Sequence, residues 1–119
     1  MLTYAIWNNK GGTGKTSLTF QVVCRYAQKH PKARILVIDM CPQANLSELM
    51  LGGLSNSGSK RLLERQGLTP RCSIGGYFDS RLPAPFSPPP TIDAASYITK
   101  PSTYNPALPK SIDLVCGDP

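Results

Sequence analysis

The sequence is poor in cysteine, in charged residues and in long apolar runs, and each shortage excludes a class of protein. The four cysteines among 119 residues form no Cys-x-x-Cys pair, so they indicate neither a zinc site nor a disulfide framework and suit a reducing compartment. No window approaches the roughly 18 apolar residues that a membrane span requires, and the N-terminus lacks the pattern of a secretion signal. We therefore expect a cytoplasmic protein with no integral membrane segment.

Length and charge set further bounds. A chain of 119 residues is long enough for one small domain and too short for two. Its net charge of +6 permits attraction to nucleic acid, anionic lipid or phosphorylated ligands, and simple solubility explains it equally well. The four arginines of the middle region either extend a basic surface or lie on a solvated face: Arg61, Arg65, Arg71 and Arg81.

The pattern of apolar runs predicts the order strand, glycine loop, helix, strand. Residues 2–8 and 34–39 have the composition of buried strands, with Tyr4 and Trp7 as core residues of the first. Residues 15–30 contain no Gly or Pro and precede Pro31, which is typical of a helix. Two strands joined by a helix are expected to lie parallel, with a right-handed crossover, so the predicted class is α/β.

The rest of the chain is predicted to hold shorter elements. Two short helices are expected over residues 46–53 and 60–67, and a third strand over residues 111–117. Residues 82–91 are dense in proline, which excludes a helix or a central strand, so we expect an extended loop there.

The glycine loop has the residues that phosphate binding requires. Gly11, Gly12 and Gly14 allow the backbone to bring several N–H groups to one anion, and a helix that begins at Lys15 points its positive end at the same place. Lys15 adds a full charge, and a hydroxyl at Thr16 can ligate the Mg²⁺ of a nucleoside triphosphate.

The loop departs from the usual pattern G-x-x-x-x-G-K-[ST], because Asn9 stands where the first glycine should be. The sequence Lys10-Gly-Gly-Thr-Gly-Lys-Thr16 instead resembles the deviant phosphate loop, KGGxGK[ST], of the ParA/MinD family of ATPases. The resemblance implies a P-loop fold, ATP with Mg²⁺ as cofactors, and a homodimer in which Lys10 reaches the ATP of the other subunit. Lys10 in plain solvent is the alternative. The implied cofactor-binding residues are Lys10, Gly11, Gly12, Thr13, Gly14, Lys15, Thr16 and Ser17.

A second stretch, ILVIDMCPQANLS, resembles the family's strand-and-switch segment, D-x-D-P-Q-x-N. By that resemblance Asp39 holds a water on Mg²⁺, which places it with Thr16 as a metal residue and with Lys10 and Lys15 as a catalytic one. Cys41 replaces the second aspartate, which the family uses to orient the attacking water. A thiol is a weak hydrogen-bond partner, so either hydrolysis is slowed with binding intact, or another residue takes over. A reactive or metal-binding role for Cys41 is a third alternative.

The resemblance covers nearly all of the chain but about half of a family member. It implies that residues 1–119 are the N-terminal part of one P-loop ATPase domain, with a parallel sheet flanked by helices that is incomplete in this chain. The family's second acidic motif, its base-binding elements and its DNA-contacting surface are expected beyond Pro119. In the family, the strand that carries the second acidic motif lies beside the phosphate-loop strand. Without that strand the sheet has an unpaired edge, so we expect this chain alone to be marginally stable, aggregation-prone or swapped with a partner.

The implied function is that of a ParA-type ATPase of plasmid or chromosome partitioning. ATP would drive a sandwich dimer that binds DNA without sequence preference, with a centromere-binding or cargo-adaptor protein as partner and a nucleoid-associated location in a bacterial cytoplasm. ATP hydrolysis is expected of the complete protein rather than of this stretch. Alternatives are a non-hydrolysing ATP-dependent scaffold, a relative of cobyrinic-acid amidoligases or of iron proteins, and, with less support, a small-molecule kinase.

Overall fold

A computed structural model describes residues 1–7, 14–82, 88 and 91–118. Within these residues four α-helices and two short strands form the framework. They are α1 (Lys15–Lys29), β1 (Ile35–Ile38), α2 (Asn45–Met50), α3 (Gly58–Gln66), α4 (Ile74–Arg81) and β2 (Ile112–Val115), with 3₁₀ turns at Ala94–Tyr97 and Pro101–Thr103. The expected helices in the first two thirds and both later strands are confirmed, and so is the α/β class.

The sheet consists of β1 and β2, which are parallel and in register from Ile35 opposite Ile112 to Ile38 opposite Val115. Thr99 forms an antiparallel bridge to Leu114 on the other edge of β2. The second edge of β1 has no strand beside it in the described part of the chain.

The core lies between the sheet and the helices that cover one of its faces. Ala27 of α1 and Val37 of β1 are buried against Met50 of α2, and Ile112 and Leu114 of β2 are fully enclosed. Burial of such a side chain contributes about 1.5–3 kcal/mol, so this cluster is the main source of stability in the described residues. It fixes β1 and α2 relative to α1.

The expected first strand is wrong for the residues that the structure describes. Residues 1–7 have no regular structure, and Tyr4 and Trp7, predicted as core residues, are 83% and 81% exposed. A buried strand needs a neighbour for its backbone N–H and C=O groups and a face that covers its side chains. The two strands of the sheet pair with each other, and no strand among the described residues pairs with residues 1–7.

The face of α1 that packs against the core is not the face that carries its regularly spaced apolar residues. Leu18, Val22 and Tyr26 recur every four residues, yet they lie on the exposed side. The side that contacts the core carries Ala27, with Val23 and two neighbours, Phe20 and Cys24, partly buried. An apolar stripe of α1 therefore remains uncovered.

One helix was not expected from the sequence. α4 contains two glycines, which disfavour a helix, but contacts from elsewhere secure its start. The Ser73 hydroxyl accepts a hydrogen bond from Gly76 N, and the Asp118 carboxylate accepts one from Gly75 N. The proline-rich loop expected at 82–91 falls mostly on residues 83–87 and 89–90, which lie outside the described residues.

Candidate nucleotide-binding site

Gly14, the last glycine of the predicted phosphate loop, directly precedes α1. Gly14 has φ +81°, a left-handed conformation that glycine adopts without steric cost, and its carbonyl accepts the first helical hydrogen bond from Leu18 N at 2.8 Å. Gly14 has no side chain to cap the helix, and the first turn contains no acidic residue. The N–H groups and the positive dipole end at a helix N-terminus favour an anion.

Three of the predicted phosphate-loop residues lie in this first turn. Lys15 and Thr16 are half-buried and Ser17 is exposed. Gly14, also in the predicted set, directly precedes the helix. The remaining four members, Lys10, Gly11, Gly12 and Thr13, lie outside the described residues. The structure therefore describes the helix end of the predicted loop.

Asp39 follows β1 directly and is held by three donors. Its Oδ2 accepts hydrogen bonds from Ser47 N at 3.0 Å and from Ser47 Oγ at 2.7 Å, and its Oδ1 accepts one from Cys41 N at 3.1 Å. The residue is 5% exposed. Because Oδ1 uses one of its two lone pairs in these contacts, it can accept a further bond from a water.

The segment after Asp39 is a tight turn that exposes the substituted position. Ala44 N donates to Cys41 O at 3.0 Å, and Ala44 is left-handed with φ +52°. Pro42, Gln43 and the Cys41 side chain are exposed. Cys41 thus lies in the turn after Asp39 and contacts the Asp39 carboxylate through its own backbone N–H.

The predicted metal residues have the chemistry that Mg²⁺ prefers. A hydroxyl at Thr16 and a carboxylate oxygen at Asp39 are hard oxygen donors, directly or through water. The two belong to different elements, and α2, which provides Ser47, packs against α1. The donor chemistry of these two residues therefore suits a magnesium ion.

The sequence did not predict a hydrogen-bond network that joins the turn after Asp39 (residues 41–44, the switch turn) to the end of β2. Ser47 is fully buried, and its hydroxyl both donates to Asp39 and accepts from Gly117 N at 2.9 Å. A Cβ at Gly117 would lie 2.6 Å from Cys41 O, which explains a glycine there. No sequence pattern pairs a helical serine with a residue 70 positions away, and the glycine after a strand was the one available signal.

The arginines considered for a basic surface have mostly intramolecular partners. The guanidinium groups of Arg61 and Arg65 lie 5.0 and 5.1 Å from the ring centre of Tyr104. Arg71 pairs with Asp79 and with the buried carboxylate of Asp118, and the hydrogen bond to Asp79 raises the pKa of Arg71. Arg81 is exposed at the end of α4.

A different basic cluster lies near the C-terminal end of α1. Arg25, Lys29, Lys32 and Arg34 are all exposed, and Tyr26 stacks against His30 with ring centres 4.4 Å apart. The first acidic residue of the chain is Asp39, so residues 1–38 are wholly basic in their charged positions. The prediction from the middle arginines overlooked this concentration.

The described residues contain three features that P-loop nucleotide-binding domains share: a parallel sheet, a left-handed glycine before a helix, and an aspartate that directly follows a strand. Residues 1–78 match the family model of an AAA domain. Because the match spans more than half of the chain, the chain belongs to that family, in its ParA/MinD-like branch. The predicted resemblance and the predicted P-loop fold are confirmed.

Curated relatives support the ParA likeness over short stretches. The chain is 58% identical over 38 residues to the virulence plasmid ParA family protein pGP5-D of Chlamydia muridarum (strain MoPn / Nigg), which is 32% of this chain and 14% of that protein. It is 51% identical over 47 residues to a ParA family protein of Chlamydia trachomatis serovar D, or 40% of this chain and 18% of the relative. No solved structure matches. The chain thus aligns with less than a fifth of each relative's length.

The comparisons support nucleotide binding as the general property of the domain. No helix among the described residues is long and apolar enough to cross a membrane. The finer properties of a whole family member, including its partners and its reaction, are matters for proposal.

Proposed function

We propose that the protein containing this chain is a ParA-type ATPase that binds ATP with Mg²⁺ between two copies of itself. The observation that carries the proposal is the lysine- and glycine-rich stretch from Lys10 to Thr16, which leads through a left-handed Gly14 into the uncapped start of α1. Backbone N–H groups, the helix dipole and Lys15 would then act on one triphosphate.

The chain's own residues would divide the work as follows. Lys10, Gly11, Gly12, Thr13 and Gly14 would surround the phosphates, with Lys10 reaching the nucleotide of the partner subunit. Lys15 would neutralise the charge that develops on the transferring phosphoryl group. Thr16 and Asp39 would hold the Mg²⁺, Asp39 through a water. ATP binding would assemble the dimer, and hydrolysis would release it.

In this proposal the dimer binds DNA without sequence preference and serves plasmid or chromosome partitioning in the bacterial cytoplasm, at the nucleoid. A centromere-binding or cargo-adaptor protein would be its partner. The basic concentration in residues 1–38 supports an anionic polymer as ligand. The names of the relatives, one a virulence plasmid ParA family protein, support the same assignment.

A second candidate function is that of a non-hydrolysing ATP-dependent scaffold. The specific observation in its favour is Cys41, an exposed thiol in the turn where the family has a carboxylate. Both functions share ATP binding and dimerisation, so turnover distinguishes them.

The test of the proposal is ATP binding by the full-length protein with Mg²⁺, measured with a fluorescent ATP analogue. We expect Lys15→Ala to weaken binding by roughly 10- to 100-fold, since a charge-assisted contact contributes about 1.5–3 kcal/mol. Lys29→Ala is the matched control, because Lys29 is an exposed lysine at the other end of the same helix. Wild-type protein with no affinity for ATP and Mg²⁺ would exclude the proposal.

Dimerisation is tested separately by light scattering with a slowly hydrolysed ATP analogue. The wild-type protein is expected to become a dimer with the analogue and Mg²⁺. Lys10→Ala is expected to bind the analogue and to form fewer dimers, because Lys10 would contact the nucleotide across the interface. A monomer that binds ATP normally would contradict the dimer and leave the nucleotide site in place.

A further inference from the structure

Ser47 is the most completely enclosed polar side chain next to the proposed site. It has 0% exposure, and its single hydroxyl makes two hydrogen bonds, one donated to Asp39 Oδ2 at 2.7 Å and one accepted from Gly117 N at 2.9 Å. Its backbone N–H also donates to Asp39 Oδ2. One residue of α2 therefore supplies two of the three donors that hold Asp39.

These contacts leave the two carboxylate oxygens of Asp39 unequal. Oδ2 accepts two hydrogen bonds from Ser47 and is saturated, whereas Oδ1 accepts one from Cys41 N and keeps a lone pair. The carboxylate is thereby fixed in rotation, with one oxygen reserved for another donor. A free Asp39 side chain would exchange its two oxygens and lose this distinction.

The segment that donates to the Ser47 hydroxyl, residues 117–118, is itself held in place by contacts with the turn after Asp39 and with α4. Gly117 approaches the switch turn so closely that a Cβ would lie 2.6 Å from Cys41 O. The next residue, Asp118, accepts hydrogen bonds from Ser73 Oγ at 2.6 Å and from Gly75 N at 2.9 Å and pairs with Arg71. The hydroxyl of Ser47 thus connects Asp39 to the end of β2, which is anchored on α4.

We propose that Ser47 is a positioning residue for the magnesium site: its hydroxyl orients Asp39 so that Oδ1 faces the metal-bound water. The inference rests on the proposed function, because it takes Asp39 as the residue that holds that water. Groups that orient a metal-binding carboxylate typically change metal affinity by about 10- to 100-fold when removed.

The experiment measures how the affinity of the full-length protein for ATP depends on Mg²⁺ concentration. For Ser47→Ala we expect the Mg²⁺ concentration at half-maximal binding to rise by about tenfold or more, with ATP affinity in EDTA unchanged. Ser47→Thr keeps a hydroxyl and is expected to restore the wild-type Mg²⁺ dependence. Ser96→Ala removes an exposed hydroxyl and is expected to change nothing. Thermal unfolding of each variant shows which comparisons are made at equal stability.

Each outcome decides the inference. Ser47→Ala with the wild-type Mg²⁺ dependence would overturn it, as would a Thr variant of wild-type stability that is as impaired as the Ala variant. Should Ser47→Ala fail to fold, Ser47→Cys takes its place, because a thiol fills the space but donates weakly. Failure of the proposed function looks different, because wild-type protein would then bind no ATP with Mg²⁺ at all.

Discussion

At the scale of single residues, the two proposed functions differ in the effect that they assign to the thiol at position 41. Cys41 is exposed in the turn after Asp39, where the family has a carboxylate. A carboxylate accepts hydrogen bonds through two charged oxygens and can orient a water, whereas a thiol is a weak partner. If Cys41 is what limits turnover, Cys41→Asp should raise ATP hydrolysis by the full-length protein about 10²- to 10⁴-fold, the scale of general acid–base assistance.

The measurement is steady-state phosphate release, with ATP affinity determined in parallel. Cys41→Ser is the matched control, since it introduces a hydroxyl without a charge and should leave turnover low. Unchanged turnover in Cys41→Asp with intact ATP binding would mean that position 41 does not have this role.

A second residue-scale prediction concerns the buried thiol of Cys116. Burial raises its pKa from the ordinary value of 9.0 to about 12, with Cys72 nearby adding to the shift. Above pH 9 the unfolded chain loses this proton before the folded protein does. The neutral Cys116 thiol therefore makes its full contribution to the free energy of unfolding below pH 9. As the pH rises from 9 towards 12, that free energy falls by up to about 1.4 kcal/mol per pH unit.

Denaturant unfolding of the full-length protein between pH 8 and pH 11 tests this dependence. Cys116→Ala removes the titrating group, so its free energy of unfolding should fall less steeply with pH than that of the wild type. Parallel slopes for wild type and Cys116→Ala would show that the fold does not hold this thiol neutral.

At the scale of elements, α4 depends on a carboxylate from the far end of the described chain. The Asp118 side chain is 1% exposed and receives hydrogen bonds from Arg71, Ser73 and Gly75 at the helix start. We expect Asp118→Asn to lower the free energy of unfolding by about 2–3 kcal/mol, because an amide presents N–H groups to the Ser73 and Gly75 donors and removes the buried negative charge that pairs with Arg71.

Asp79→Asn is the matched control for that substitution. Asp79 pairs with the same arginine, but its side chain is 70% exposed, so the loss should stay below about 1 kcal/mol. Chemical denaturation of both variants gives the comparison. Equal losses would mean that burial of Asp118 does not matter for α4.

The elements also show what the sequence could and could not predict. β1 and α1 follow from local pattern, because an apolar run and a stretch free of Gly and Pro each specify their own conformation. α4 was missed because its start is stabilised by Asp118, a contact across 43 residues that no local pattern records. Residues 2–8 are predicted as a strand because their composition is that of a buried strand, and composition does not show whether a neighbouring strand exists to pair with them.

The candidate site divides in the same way. The phosphate loop and Asp39 are recognisable because their spacing along the chain is itself the chemical requirement. Ser47 and Gly117 act through contacts between separate elements, and their residue types are common in helices and after strands. Their role became visible when the hydrogen bonds of Asp39 were followed.

At the scale of the whole molecule, the chain exposes more surface than a compact protein of its size. Its accessible area is 8205 Å², against about 6300 Å² for a compact monomer of 12.9 kDa. Apolar side chains contribute to the excess: Leu36 and Ile38 on the open face of β1 are 53% and 48% exposed, and Leu18 of α1 is 56% exposed. We therefore expect the 119-residue chain, taken alone, to associate or to unfold without a cooperative transition.

Light scattering and urea unfolding of the isolated chain test this expectation. Replacing Leu36 and Ile38 by lysine should reduce association, whereas Leu54→Lys in the exposed turn after α2 should not. A wild-type monomer with a single cooperative transition would contradict the prediction.

The charge distribution leads to the last whole-molecule prediction, which concerns DNA. Six of the 13 Lys and Arg residues lie before Asp39, and Asp39 is the first of the seven acidic residues. The seven basic and seven acidic residues from Asp39 onward balance each other. The net charge of +6 therefore comes from residues 1–38. Lys29 and Lys32 are exposed near the end of α1, away from the proposed phosphate site at its start. A DNA duplex that binds through net charge should therefore depend on this end of α1.

The double substitution Lys29→Glu and Lys32→Glu should weaken non-specific DNA binding by the ATP-bound protein. It should also make the slope of log affinity against log salt less steep by about 2, because two phosphate contacts would be lost. The control is Lys60→Glu with Lys110→Glu, which makes the same change of charge at exposed positions in the electrically balanced remainder. Fluorescence anisotropy with duplex DNA over a salt series gives both quantities. If both pairs reduce affinity equally, total charge decides DNA binding, and the end of α1 has no special part in it.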